Sequence, residues 1–288
     1  MKGFNRYRSS GKFTLVMRLL ATVNTEVFSQ LVSVLSACGG EVVLHFSKTT
    51  LSLVVSQGIN QIALWIGCSV QLCFSKYQVS SRNDDIITLK CNSQQLSQAL
   101  TVDAAPTINM SLTRQGDTNT LQFDHRSNDS TKQLLQRVAV VLLSTRATED
   151  YQEPEWGTPS VSVRFPQIRQ VINWVNEMKD INQMVTLKAT KEGEFKLFIE
   201  SDSVTVETSF SGLEIVGETD QATMEEAEAL VDLKKFKKVL KVGNLQGCAG
   251  EIHIFDKQMA KFNFIVPTNI PDQPTNLTYV LNASTKAV

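Results

Sequence analysis

The stretch VSVRFPQIRQVINWVNEMKDINQMVTLKATKEGEFKLFIESDSVTVETSF, residues 161–210, decides the fold. Residues 161–164 alternate as a strand does. Pro166 follows where a helix can begin, since the first helical N–H has no partner to lose. From there the apolar residues fall at Ile168, Val171, Ile172, Val175 and Met178, the stripe of an amphipathic helix, with Arg169, Asn173, Asn176 and Lys179 on the other side. After Asn182 the period drops to two. Val185, Leu187 and Ala189 alternate with polar residues, Gly193 marks a turn, and Phe195, Leu197 and Ile199 make a second strand. Val204, Val206 and Thr208 make a third. The unit is strand, helix, then a three-stranded antiparallel meander.

Outward from this stretch the same order recurs. Toward the N-terminus the patterning predicts a strand over 12–18, a helix over 22–38 closed by Gly39 and Gly40, and a hairpin of 41–46 with 50–56. Strands at 62–66, 75–79 and 86–91 follow, then a short helix over 93–100. A second hairpin, 107–113 with 120–125, turns at Gln115, Gly116 and Asp117, and a strand over 137–144 closes this half. Residues 145–159 hold Pro154, Gly157 and Pro159 with no sustained period and read as a linker. Beyond 210 a polar, acidic loop leads to a strand at 229–233, a short helix at 234–242, a hairpin of 251–255 with 260–266, and a last strand at 277–281. The β-α-β-β-β unit thus appears four times. The expected fold is α+β: two like domains, each of two such units, with helices on one face of antiparallel sheets. The boundaries are 1–144 (with 1–11 as a mobile arm), a connector at 145–159, and 160–288.

Composition narrows the function. With 288 residues, 42% of them apolar, and a formal net charge of -1, the chain is an ordinary globular protein, and any polyanion partner must be met by local charge. Five cysteines, an odd number without a Cys-x-x-Cys pair, read as reduced thiols of an intracellular protein. The basic first residues are followed by no apolar signal core, and the apolar run 51–74 is interrupted by Gln57, Asn60, Gln61 and Gln71, so neither secretion nor a membrane partner is expected. Four N-glycosylation triplets, at Asn109, Asn128, Asn276 and Asn282, read as accidents of an Asn/Ser/Thr-rich chain. His45, His125 and His253 lie singly on three hairpin strands, and Glu225, Glu226 and Glu228 read as a solvated loop cluster. No metal spacing, phosphate-cradling loop or catalytic constellation is present, so the expectation is a non-enzyme without cofactor.

Three features carry the candidate sites. Lys234, Lys235, Lys237, Lys238 and Lys241 interleave with the apolar stripe of a short helix and share its exposed face. Alone they fit a solvated face as well as a polyanion-facing one. Arg164, Arg169 and Lys179, from the matching helix region of the same half, tip the balance toward one basic wall, because equivalent helices of a duplicated fold point the same way. The helices of the first half carry almost no positive charge, which makes the wall lopsided. In the linker, Tyr151 and Trp156 beside Pro154 suit either partner docking or packing onto the neighbouring sheet. The stretch RVAVVLLS, with Val138, Val140, Val141, Leu142 and Leu143, is apolar on both faces. It suits a central strand, or an edge strand that pairs with another subunit. Val204, Val206 and Thr208 form the other candidate edge.

The layout resembles the DNA sliding-clamp (PCNA-like) fold. More narrowly it resembles the Hus subunit family of the heterotrimeric nine-one-one checkpoint clamp. The matching residues are Glu153–Pro154, VSVRFP at 161–166, GEFKLFIES at 193–201, VTVETSFSGLE at 204–214, ALVDLKKFKKVLK at 229–241 and LTYVL at 277–281. IITLKCNSQQLSQAL at 86–100 and VAVVLLS at 138–144 carry the likeness in the first half. The resemblance implies a non-catalytic nuclear protein, some of it cytoplasmic. It implies a ring with two paralogous clamp subunits, opened by a checkpoint clamp loader and closed around double-stranded DNA without regard to sequence. Helices line the hole, repair enzymes dock on the connector, and the family's phosphorylated tail belongs to a different subunit. The rival readings are a replicative processivity clamp, which is a homotrimer, an enzyme on an α+β scaffold, and a protein-interaction module with no nucleic-acid role.

Overall fold

Alternating burial along nearly every strand drives this architecture: odd or even residues face a common apolar layer and their neighbours face out. The computed structural model describes residues 17–55, 62–101, 107–126, 133–217 and 224–284. The first strand, β1 (Arg18–Val23), buries Leu19, Ala21 and Val23, and α1 (Thr25–Cys38) follows with Phe28, Leu31, Val32, Val34, Leu35 and Cys38 inward. Patterning alone placed that strand at 12–18, of which 12–16 lie outside the described residues. Thr22 and Val23, counted with the helix, instead extend the strand, as β-branched residues favour.

Strands β2 (Glu41–Phe46), β3 (Thr50–Val55) and β4 (Ala63–Ser69) form a meander, and a four-residue helix α2 (Val70–Cys73) leads into β5 (Phe74–Ser80). The second unit is β6 (Ile87–Asn92), α3 (Ser93–Leu100), β7 (Thr107–Gln115), β8 (Thr118–Arg126) and β9 (Gln133–Leu142). Asn92 caps α3, its side chain accepting from the amides of Gln94 and Gln95 at 3.0 Å each. The connector holds one turn of helix, α4 (Thr145–Glu149), capped by Ser144.

The second half repeats the plan. It runs β10 (Val161–Arg164), α5 (Ile168–Met178), β11 (Met184–Thr190), β12 (Glu194–Glu200), β13 (Thr205–Phe210), β14 (Glu226–Asp232), α6 (Leu233–Val239), β15 (Ala249–Phe255), β16 (Met259–Val266) and β17 (Thr275–Asn282). A 3-10 turn over Leu240–Asn244 extends α6, and Asp232 caps that helix through the Lys235 amide at 2.9 Å. Glu226 and Glu228, expected in a loop, sit on β14. Gly193 turns β11 into β12 at φ +79°, and a Cβ there would stand 2.2 Å from the Leu213 carbonyl oxygen, so only glycine fits.

The strands make two sheets. Four strands pair in the order β13-β12-β11-β14, and thirteen in the order β10-β15-β16-β17-β4-β3-β2-β6-β9-β8-β7-β1-β5. The long sheet joins the halves through one antiparallel seam, β17 against β4, with Leu277 opposite Ile66 and Tyr279 opposite Leu64. All four side chains are buried. On the inward face the helices stand side by side, α3 beside α1, α1 beside α6, and α6 beside α5. The aromatic centre of the second half is Phe165, Phe236, Phe262 and Phe264, with Phe236 stacked on Phe262 at 5.8 Å between centroids.

Candidate nucleic-acid interface

The buried stripe of each helix fixes what it shows to solvent. In α6, Leu233, Phe236 and Val239 point into the core, which leaves Lys234 and Lys238 exposed and Lys235 and Lys237 half-buried along its sides. Lys241 is exposed on the 3-10 turn that follows. In α5 the buried set Ile168, Val171, Val175 and Met178 leaves Arg169 exposed, and Lys179 is exposed just past the helix end. Among the described residues none of these seven cations forms an ion pair, whereas most other lysines of the second half do. An unpaired basic face stays available to an external anion.

Contact with α1 places the lysines in the row. Burial pushes the Cys38 thiol near the end of α1 up to about 12, while the neighbouring Lys238 and Lys241 ammonium groups act in the opposite direction. The exposed residues of α1 and α3 are Glu26, Gln30, Ser33, Gln94, Gln95 and Gln98, so this end of the row offers amides, one hydroxyl and one carboxylate instead of cations. The wall is therefore lopsided, cationic along α6 and α5.

Arg164 does not belong to it. Val161 and Val163 point inward from β10, so Arg164 faces the opposite side of the sheet. There it holds Glu214 at 3.1 Å and Glu251 at 3.2 Å. Its charge is neutralised on the outer surface.

The connector lies on that outer surface. Trp65 of β4 donates its Nε1 hydrogen to the Tyr151 carbonyl at 3.0 Å, and its ring meets Trp156 edge-on at 6.1 Å. Trp156 donates to Glu153 Oε1 at 3.1 Å, and Lys261 of β16 reaches the same oxygen at 3.2 Å with its ammonium 5.6 Å from the Trp156 ring centroid. Both aromatics are half-buried anchors of the strap, while Pro154 is exposed. Beyond Trp156 the strap borders a groove of about 560 Å³ walled by Pro154, Pro159, Ile215, Phe255, His253 and Lys261.

His253 is a packing residue of that wall. Its Nδ1 is 2.8 Å from the Ser162 hydroxyl and its Nε2 is 3.0 Å from the Asn263 amide nitrogen. Burial, aided by Lys261, lowers its pKa from 6.5 to about 4. The folded chain thus resists the proton that the unfolded chain accepts below pH 6.5, and stability falls as pH drops from there toward 4. Urea titrations across this window should show a loss of up to about 3 kcal/mol from this one group. His253→Gln should flatten the curve, and an equally steep variant curve would assign the acid sensitivity elsewhere.

The two candidate subunit edges fare differently. β13 is an edge strand of its sheet, with Val206 half-buried and Thr208 buried on it and Val204 exposed just before it. The 138–144 stretch is not an edge beyond Ala139. Val138 and Val140 are buried in this chain's own core, Val141 pairs with Lys90, Leu142 with Leu89, and the Leu143 amide donates to the Thr88 carbonyl. What is unpaired on that side of β9, among the described residues, is its earlier part, Gln133 to Ala139. That segment carries the exposed Leu134 and Leu135. The sequence missed it because the strand was begun at Arg137, past both leucines.

Thirteen- and four-stranded antiparallel sheets backed by one row of helices define a DNA sliding-clamp fold. Proliferating Cellular Nuclear Antigen from Entamoeba histolytica superposes on 94% of the chain and 100% of its own length, with a TM-score of 0.68 at 14% identity. The Thermococcus kodakaraensis PCNA gives 0.67 at 13% identity, over 92% of this chain and 100% of that one. Within that fold, residues 17–285 match the Hus1-like protein family, and the chain belongs to it. It is 23% identical to human Checkpoint protein HUS1 over 83% of this chain and 90% of that protein. It is 24% identical to the Dictyostelium discoideum Checkpoint protein hus1 homolog over 72% and 78%.

Proposed function

We propose that this chain is a non-catalytic subunit of a heterotrimeric checkpoint clamp that encircles duplex DNA at damage sites and carries signalling and repair factors in the nucleus. The observation that supports it most is the unpaired cationic face of α6 and α5 on the helical side of a clamp fold, in a chain of the Hus1-like family. A ring is held on DNA by topology, so each phosphate contact can be weak, and a few exposed lysines suffice for loading and sliding. Two paralogous clamp chains complete the ring through the β13 edge and the free part of β9, and a clamp loader opens it. Among the described residues no three His, Cys, Asp or Glu side chains cluster to hold a metal ion. Mass measurement of the chain alone and with co-expressed partners tests the assembly. A stable homotrimer of this chain would instead favour a replicative processivity clamp.

The connector supplies the client surface. The groove beside Trp156 is apolar at Pro154, Ile215 and Phe255 and has a polar rim, the make-up of a peptide-docking site. Since Tyr151 and Trp156 also anchor the strap, substituting them confuses docking with packing. Pro154→Ala with Ile215→Ala keeps both aromatic anchors in place, and should leave ring assembly intact while weakening a repair-enzyme client by about ten-fold or more, read by calorimetry. Unchanged client affinity would remove the groove from the docking surface.

A further inference from the structure

The internal duplication supplies a template for the two open edges. Asn92 and Asp232 cap equivalent helices, so Lys90 of β6 stands where Leu230 of β14 does. Lys90 pairs with Val141, and the Leu230 carbonyl accepts from the Ser284 amide, so β9 stands where β17 does. Through these registers Leu134, Gln136 and Val138 occupy the places of Leu277, Tyr279 and Leu281. From the same two caps, paired neighbours lead across the meanders to Leu53 and Leu197. These face Ile66 and Thr208 respectively, so Val206 and Thr208 occupy the places of Leu64 and Ile66. The β17–β4 seam inside the chain is thus the pattern that β9 and β13 would each repeat with a neighbour.

At that seam Leu277, Leu64 and Ile66 are apolar, and the Tyr279 ring is buried with its hydroxyl unpartnered among the described residues; each open edge likewise turns one polar side chain inward. The Gln136 Oε1 atom and the Thr208 hydroxyl are both buried, and neither has a hydrogen-bond partner among the described residues. A buried acceptor left unpaired is costly, and a partner arriving with a neighbour relieves that cost. A second copy of this chain does not bring one directly. In the register of the seam it would set Val206 opposite Gln136 and Leu134 opposite Thr208, so amide and hydroxyl meet only across a diagonal about 7–8 Å long, which the Gln136 side chain spans only when fully extended.

We propose that Gln136 and Thr208 select the neighbours of this subunit. Each edge accepts the strand of a different clamp chain that places a hydrogen-bonding side chain at the inward position directly opposite, and a copy of this chain is a poor fit at both. This rests on the proposed ring, and deepens it by naming the recognition groups and the register. Since the polar groups sit on separate edges, their effects must be separable.

Gln136→Leu and Thr208→Val are made in the intact chain, and each is titrated with the two paralogous clamp subunits purified one at a time. Each variant should weaken binding to one neighbour by about ten-fold and leave the other unchanged. Thr208→Ser, which keeps the hydroxyl, should restore the wild-type value. Leu134→Asp and Val206→Asp, with a charge on the same inward faces, test the edges themselves. If these two leave assembly untouched, the interface reading fails and takes the proposal with it. If they break assembly while Gln136→Leu and Thr208→Val bind both neighbours as the wild type does, the edges stand and the selection role is overturned. A Gln136→Leu, Thr208→Val double variant that stays monomeric and keeps both wild-type affinities overturns it equally.

Discussion

Replacing Lys234, Lys238 and Lys241 with Ala in the assembled ring should flatten the log–log salt dependence of DNA binding by about 2.7, at roughly 0.9 for each phosphate contact removed. Affinity then changes about forty-fold less than wild type for a roughly four-fold rise in salt. The three side chains are exposed, form no ion pair with any described residue, and lie off the buried stripe of Leu233, Phe236 and Val239. Their loss should therefore alter the folding free energy by no more than about 0.5 kcal/mol. Arg164→Ala is the internal control. That guanidinium is held by Glu214 and Glu251 on the outer face, so its removal should leave the slope alone. A triple variant with the wild-type slope would make the lysines a solvated face and withdraw α6 from the DNA-facing surface.

Phe236→Ala should cost about 3–5 kcal/mol of stability, the range for removing a fully buried aromatic. Phe236 is 0% exposed and is the contact through which the lysine-bearing helix meets Phe262 of β16. Urea unfolding should show a lower midpoint with the same slope, because the surface exposed on unfolding is unchanged. If the variant stays folded, the helix is less firmly seated and its lysines are presented less uniformly, so the DNA salt slope should fall as well. A loss below about 1 kcal/mol would mean that neighbouring side chains refill the site, and that Phe236 is not what holds α6.

Periodicity was enough for most elements and for their order. Val185, Leu187 and Ala189 alternate so regularly that β11 could be placed within a residue of its observed ends, and the Asn92 and Asp232 caps stand where the helical stripes begin. Partnership between strands was not legible. The pattern of Val138 to Leu143, apolar on both faces, describes a strand enclosed by β6 and β8 as well as one awaiting another subunit, and only the register separates these. Arg164 shows the same limit. Its neighbours in sequence suggested a basic wall, but strand alternation turned it to the other face. Trp156 was equally undecided until Trp65, ninety-one residues earlier in the chain, appeared beside it.

The seam between β17 and β4 also has a consequence in time. Ala63 and Val280 are paired, so β4 has no partner on that side until β17, more than two hundred residues later, has been synthesised. Until then Leu64 and Ile66 line an open strand edge, the kind of surface on which nascent chains mispair. A contact this distant in sequence also forms slowly, because the intervening loop must close before the pairing is rewarded. Folding on the ribosome should therefore halt at a stage with β2, β3 and β6 paired and β4 open, and finish only after β17 has emerged. Chaperone demand should be greatest for chains cut before Thr275.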